Sequence, residues 1–218
     1  MQETQFEKKG KFKLDKYIVF EAIRKNKEQG GSILGVHESL KPVLISEYQE
    51  EFELIVIETK IANKNIRIIT GYGPQEHDTE KMKFFNALEK KISSAQFKAK
   101  SLIIAMDANS KEEIIPDDPK PQSEDGEILA GIINRHTMCV INGLTAKRKG
   151  LITRERQTIR GIERSVIDFV ITSNDLVEHI KSIHIDDERV HVLTKSKKTK
   201  DTSDITKSDH NVINTVLE

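Results

Sequence analysis

The stretch SLIIAMDANS, Ser101 to Ser110, constrains this chain more than any other. Its centre, Leu102-Ile103-Ile104-Ala105-Met106, is a short apolar run with the length and composition of a strand buried on both faces. It stops abruptly at Asp107, Ala108 and Asn109. Side chains two positions apart on a strand project to the same side, so a carboxylate and an amide meet at the rim of the sheet. Oxygen ligands of that kind suit a hard divalent cation or an activated water. Asp-x-Asn-Ser is also ordinary turn chemistry after a strand, so the stretch decides nothing by itself.

The 218 residues suffice for one large domain, and no segment reads as a linker, so 1–218 is taken as a single domain. With no Trp and 5% aromatics, the core must rest on Ile, Val and Leu. The single cysteine, Cys139, excludes an internal disulfide framework and a multi-cysteine zinc site, and makes an intracellular, reducing compartment the default. No apolar run approaches membrane-spanning length, so no membrane partner is expected. Lys+Arg and Asp+Glu both number 35, which argues against a protein that coats nucleic acid non-specifically. The charge is nevertheless segregated. Residues 111–127 carry seven acidic against two basic side chains, and residues 147–164 carry seven basic against two acidic. A basic stretch beside a candidate metal site is what a phosphate-backbone substrate needs.

Read in order, YIVF from Tyr17 and SILGV from Ser32 are strands. FELIVIETKI from Phe52 and IRIITGY from Ile66, separated by the turn signal Asn63-Lys64-Asn65, form an antiparallel hairpin. A helix is expected over 76–94, with Phe84, Phe85, Leu88, Ile92 and Met82 on its apolar side and Asp78 or Thr79 as cap. A second helix is expected near 128–133, and a short strand from Met138 ends in an Asn142-Gly143 turn. Leu151-Ile152-Thr153 begins a strand followed by a basic loop. VIDFVIT from Val166 is a strand with one charge, Asp168, and 173–180 is a short helix. An edge strand is expected over 183–193, a lysine-rich loop over 195–204, and a closing strand over 212–217. Many strands with a few helices interposed imply two sheets packed face to face with helices outside.

Asp168 inside an apolar strand costs several kcal/mol unless it is paired. His210, beside Asp209 at the mouth of the last strand, is a fitting partner, because a carboxylate orients an imidazole and favours its charged form. Tyr72, at a strand end in GYGP, offers a phenol that can reach a phosphate oxygen. Ser208, Asp209 and His210 are adjacent and cannot make a serine-hydrolase triad.

In chain order the set is Gln2-Glu3-Thr4, Gly30-Gly31, Gly71-Tyr72-Gly73-Pro74, Met106-Asp107-Ala108-Asn109, Ser165-Val166-Ile167-Asp168-Phe169-Val170 and Ser208-Asp209-His210. It resembles the endonuclease/exonuclease/phosphatase superfamily, the metal-dependent group that includes exonuclease III-type apurinic endonucleases and DNase I. The wording around Met106 and Ser165, with Thr153, is similar to that of the endonuclease domain of non-LTR (LINE-type) retrotransposons.

The resemblance implies an α/β fold, a four-layer sandwich of two packed mixed β-sheets with outer helices. The family begins with a strand ending in Asn and a second strand leading into the Glu, whereas Met1 stands almost at Glu3. The expectation is therefore a domain shortened at its N-terminus that lacks the first strands. By resemblance, Glu3 holds the divalent metal, Mg²⁺ or Mn²⁺, with Asp209 near it. Tyr72 contacts the scissile phosphate, Asp107 activates the attacking water, and Asn109 positions it. His210, oriented by Asp168, polarises the phosphate. Thr153, Arg154, Arg156 and Arg160 face the substrate. The implied activity is nicking of a DNA target strand to leave a priming 3′ hydroxyl, in the nucleus, by a domain fused to or encoded with a reverse transcriptase. Two alternatives stand beside it: a phosphatase or phosphodiesterase of the same fold acting on a small or lipid phosphate ester, and an inactive remnant or binding domain.

Overall fold

The computed structural model describes residues 12–22, 31–47, 52–74, 80–98, 100–110, 123–191, 194–198 and 203–218. The strands are β1 Tyr17–Ala22, β2 Ser32–His37, β3 Val43–Glu47, β4 Glu53–Ile61, β5 Lys64–Tyr72, β6 Ser101–Asp107, β7 Met138–Val140, β8 Arg148–Lys149, β9 Arg154–Thr158, β10 Gly161–Ser165, β11 Asp168–Ser173, β12 Ile180–Ile185, β13 Thr194–Lys198, β14 Ser203–Lys207 and β15 Ile213–Leu217. Among the described residues two α-helices are interposed, α1 Lys81–Phe97 and α2 Glu124–Arg135.

A six-stranded mixed sheet, ordered β3-β4-β5-β6-β11-β7, is the centre of the molecule. β5 and β6 run parallel, linked through α1, and the other neighbours are antiparallel. The strand read from SLIIAMD lies inside this sheet, flanked by β5 and β11. One face carries Leu54, Val56, Ile69, Leu102, Ile104, Met106, Phe169 and Ile171, which pack with Phe84, Phe85, Leu88 and Ile92 of α1 and Leu129, Ile132 and Ile133 of α2. Each such side chain, fully buried, contributes about 1.5–3 kcal/mol. Met82, expected in that stripe, is exposed, because it lies off the face that α1 presents to the sheet. The opposite face meets a second β layer. Ile55 and Ile57 pack with Ala22 and Val36 of the β1–β2 hairpin, and Val170 packs with Ile180, Ile183 and Ile213 of the β15-β12-β8 sheet.

Local chemistry explains the boundaries. The β4–β5 turn is Ala62-Asn63, both at positive φ (46° and 66°), with Ile61 opposite Lys64. A two-residue turn of that kind matches the twist of the flanking strands, and it sits one position earlier than the sequence suggests. α2 begins earlier than its apolar spacing predicts. Ser123 caps it by accepting the Gly126 amide at 3.2 Å, and Glu124, Asp125 and Glu127 complement the helix N-terminus. The expected caps of α1, Asp78 and Thr79, lie outside the described residues.

Four expectations need correction. The basic run is not a loop: β9 and β10 form an antiparallel hairpin, with Arg154 opposite Ser165 and Thr158 opposite Gly161. The lysine-rich segment likewise contains the β13–β14 pair. Leu151 to Thr153 precedes β9 instead of forming a strand, and the strand expected at an edge over 183–193 is β12, Ile180–Ile185, the middle strand of the β15-β12-β8 sheet.

Candidate active site

Because β5 and β6 are parallel neighbours, their carboxyl ends arrive together, with Tyr72 beside Asp107. β11 runs the other way, so its first residue, Asp168, stands beside Asp107 on the other side. Glu53, the first residue of β4, is opposite Tyr72. Register partners place their side chains on the same face. Glu53, Tyr72, Asp107 and Asp168 therefore form one row along the rim of the sheet, on the face toward the second β layer, and all four are buried.

The rim is tightly built. The Gly73 amide donates to the Asp107 carbonyl at 2.6 Å. A Cβ on Gly73 would stand 2.5 Å from the Ala108 carbonyl oxygen, so only glycine lets the ends of β5 and β6 approach this closely. Asn109 adopts a left-handed conformation (φ 49°), which Asn tolerates. Its amide donates to Asp107 Oδ1 at 2.9 Å, and its Nδ2 donates to the Gly73 carbonyl at 2.9 Å. Asn109 thus ties the Asp107 carboxylate to the end of β5.

His210 comes from the loop before β15. Its Nδ1 lies 3.0 and 3.1 Å from the two Asp168 oxygens. Its Nε2 lies 3.7 Å from Asp107 Oδ2 and 3.8 Å from Asp209 Oδ1. The loop is laced to the start of the β9–β10 hairpin. The Glu155 amide donates to the Asp209 carbonyl at 2.8 Å, and the Asn211 amide donates to the Thr153 carbonyl at 2.7 Å. Arg154 Nε donates to Asp209 Oδ2 at 2.9 Å. Arg189 donates to the backbone carbonyls of both Glu155 and Ser208.

The electrostatics follow from this packing. Burial pushes the Asp107 carboxyl well above its usual range, and the charge of Asp168 pushes it further. Burial alone would lower His210, but the charge and hydrogen bond of Asp168, with the charges of Asp107 and Asp209, overcome it and raise the imidazole to about 9. At neutral pH His210 is an imidazolium that donates from Nδ1 to Asp168. Burial would also raise Asp209, but the hydrogen bond and charge of Arg154 outweigh it and hold Asp209 below its usual range. The site therefore pairs a carboxylate that accepts a proton readily with a cation that stays charged. Such a pair has the chemistry to act as a general base set against an electrostatic stabiliser.

The family model described as "Endonuclease-reverse transcriptase" matches residues 66–214. The chain belongs to this family. Among solved structures, the endonuclease domain of TRAS1, a telomere-specific non-LTR retrotransposon, superposes with a TM-score of 0.64 at 16% identity, over 94% of this chain and 81% of that one. A 3′ phosphatase from Neisseria bound to a product DNA hairpin superposes with a TM-score of 0.66 at 14% identity, over 100% of this chain and 87% of that one. A mannosyl-6-phosphatase from Bacteroides thetaiotaomicron gives 0.59 at 12% identity, over 94% and 78%. These likenesses establish the endonuclease/exonuclease/phosphatase fold. No curated protein sequence matches the chain.

Members of this endonuclease-reverse transcriptase family typically depend on a divalent metal. Among the described residues one cluster can hold such an ion: Asp107, Asp168 and His210, whose ligand atoms all lie within 4.8 Å of one another. The oxygens carry the fit. Asp107 Oδ2 is buried and accepts no hydrogen bond, and carboxylate oxygens suit a hard cation. The His210 imidazolium, with a proton on each ring nitrogen, offers no lone pair. Ligation therefore falls to the carboxylates, with Asp209 beside them.

The structure brings Tyr72, Asp107, Asn109, Asp168, Asp209 and His210 to one rim. Glu3 lies outside the described residues. Arg154 is at the site but committed to Asp209, whereas Arg156 and Arg160 are exposed on the hairpin. Thr153, expected to face the substrate, lies inside the fold. It is fully buried, and its hydroxyl accepts the amides of Ile167 and Asp168 at 3.0 and 3.1 Å, so it braces β11 from inside. Sequence reading passed over Glu53, which looked like the polar start of an apolar strand, and Asn142, which looked like half of an Asn-Gly turn. No helix of the described residues is long and apolar enough to cross a membrane.

Proposed function

We propose that this chain is a metal-dependent phosphodiesterase that nicks DNA, as in target-primed retrotransposition. One observation carries the reading: the His210 imidazolium is held by Asp168 and stands 3.7 Å from the buried Asp107 carboxylate. A nuclease reaction needs a base to activate water and a fixed positive charge to meet the negative charge that grows on the phosphate. In this reading Asp107 takes the proton of the attacking water, and its raised pKa suits it to do so. Asn109 fixes the Asp107 carboxylate and positions the water. His210 donates from Nε2 to a phosphate oxygen, and Tyr72 donates its phenolic proton to the same group. Mg²⁺ or Mn²⁺ would be held by the rim carboxylates, Asp107 and Asp168 with Asp209 beside them, joined by Glu3 as the resemblance implies, and would supply Lewis-acid stabilisation of the phosphate when bound. Arg156 and Arg160, exposed on a hairpin anchored to Asp209 through Arg154, present positive charge to a phosphate backbone next to the site, whereas Arg164 is paired with Glu155 on the other face of the hairpin.

The test is nicking of supercoiled plasmid with Mg²⁺ or Mn²⁺. Wild type nicks and EDTA abolishes it. Asp107→Ala or His210→Ala reduces the rate by about 10²–10⁴-fold. A folded wild type that leaves the plasmid intact at both metals overturns the reading. Release of inorganic phosphate from small or lipid esters without plasmid nicking would assign the same chemistry to a phosphatase.

A further inference from the structure

Asp168 orients His210, and its own backbone is held from two sides by fully buried side chains. Thr153 accepts its amide at 3.1 Å. Asn142 Nδ2 donates to its carbonyl at 3.0 Å, while Asn142 Oδ1 accepts the Val170 amide at 2.8 Å. Asn142 itself is fixed, since Arg148 Nη1 donates to its carbonyl at 3.0 Å.

The place of Asn142 in the sheet explains this arrangement. β7 pairs with β11 only from Ile171 to Ser173, in the register Ile171–Val140, Thr172–Cys139 and Ser173–Met138. Beyond Val140 the chain leaves the sheet in a 3₁₀ turn, Ile141–Gly143. Had the strand continued, Asn142 would stand opposite Phe169. Its neighbours' peptide groups would then supply a donor to the Asp168 carbonyl and an acceptor for the Val170 amide. The Asn142 side chain, with one amide donor and one carbonyl acceptor, supplies both in their place. The edge of β11 is thus completed by a side chain at the residue that holds His210.

We infer that Asn142 is a positioning residue for the Asp168–His210 pair: by completing the ladder at Asp168 and Val170 it fixes where the Asp168 carboxylate stands. Asn142 touches no reacting atom and acts through Asp168. The catalytic consequence rests on the nuclease reading above, but the placement itself does not.

The experiment uses the full chain and two variants. Asn142→Ala removes both bonds. Asn142→Asp keeps the volume and the acceptor for Val170 but cannot donate to Asp168. Proton NMR reads the hydrogen-bonded Nδ1–H of His210, assigned by its absence in His210→Ala. In both variants this resonance shifts upfield or broadens away, and circular dichroism shows the fold retained in at least Asn142→Asp. In the plasmid assay kcat falls about 10–100-fold with KM within about twofold. In an Asp168→Ala background, Asn142→Asp costs less than a further twofold. An unchanged resonance in a folded variant overturns the inference. So does an undiminished loss in the Asp168→Ala background, which would make Asn142 a stabilising residue only. If wild type does not nick DNA but the resonance still depends on Asn142, the positioning role stands and the nuclease reading falls.

Discussion

At the scale of single residues, the site turns on one proton. The His210 imidazole, raised to about 9, gains its stabilisation from Asp168, Asp107 and Asp209 after burial has worked against it. A folded-state value above the ordinary 6.5 means that this contribution to stability is complete below about 6.5 and is lost as pH rises through about 9. The nicking rate should fall along the same alkaline limb. Asp168→Asn removes the main charge that raises the imidazole, so the limb should move from near 9 toward 6.5, measured as kcat/KM for plasmid nicking against pH. An unmoved limb would mean that another group titrates there. Asp168 was legible in the sequence because a lone carboxylate in VIDFVIT demands a partner. Asn142 was not, since Asn-Gly is the commonest of turn signals and nothing local reveals that the amide faces inward to a strand.

At the scale of elements, the rim depends on two parallel strand ends meeting at Gly73. Gly73→Ala places a methyl against the Ala108 carbonyl, a backbone contact that cannot be relieved by a side-chain rotation. The ends of β5 and β6 must separate, carrying Asp107 and Asn109 with them. A nicking rate at least about tenfold lower is expected, because small misplacements at a reacting centre are costly, with the fold retained by circular dichroism. Wild-type activity in this variant would show that the close approach is dispensable. The central strands and α1 were readable because burial writes period-2, period-3.6 or continuous apolar patterns into them. The β9–β10 and β13–β14 hairpins were not. RERQT and GIERS are solvated on both faces, so no apolar alternation marks them, and TKSKK and SDITK carry as little. Such strands are held by backbone pairing, which leaves no compositional trace.

At the scale of the whole molecule, zero net charge conceals charge that is segregated along the sequence. Arg156 and Arg160 are exposed on the β9–β10 hairpin, while Arg164 is paired with Glu155 on its other face. Arg156→Ala and Arg160→Ala should each weaken DNA binding about equally for all sequences, and each should reduce the salt dependence of log K by about one. Fluorescence anisotropy across a salt series measures this, and an unchanged slope would remove these residues from the binding face. The row Glu53–Tyr72–Asp107–Asp168 has a different kind of independence. Its pitch is the inter-strand spacing of a hydrogen-bonded sheet, about 4.7–4.9 Å per strand. Backbone geometry sets that spacing, whichever apolar side chains fill the layers beneath. Ile, Val and Leu can be exchanged in the core without changing the spacing of the backbone positions that carry phenol and carboxylate. For an enzyme designer this makes the rim a ruled line: new side chains can be written at Glu53 or Tyr72 from backbone positions whose separation from Asp107 is known in advance.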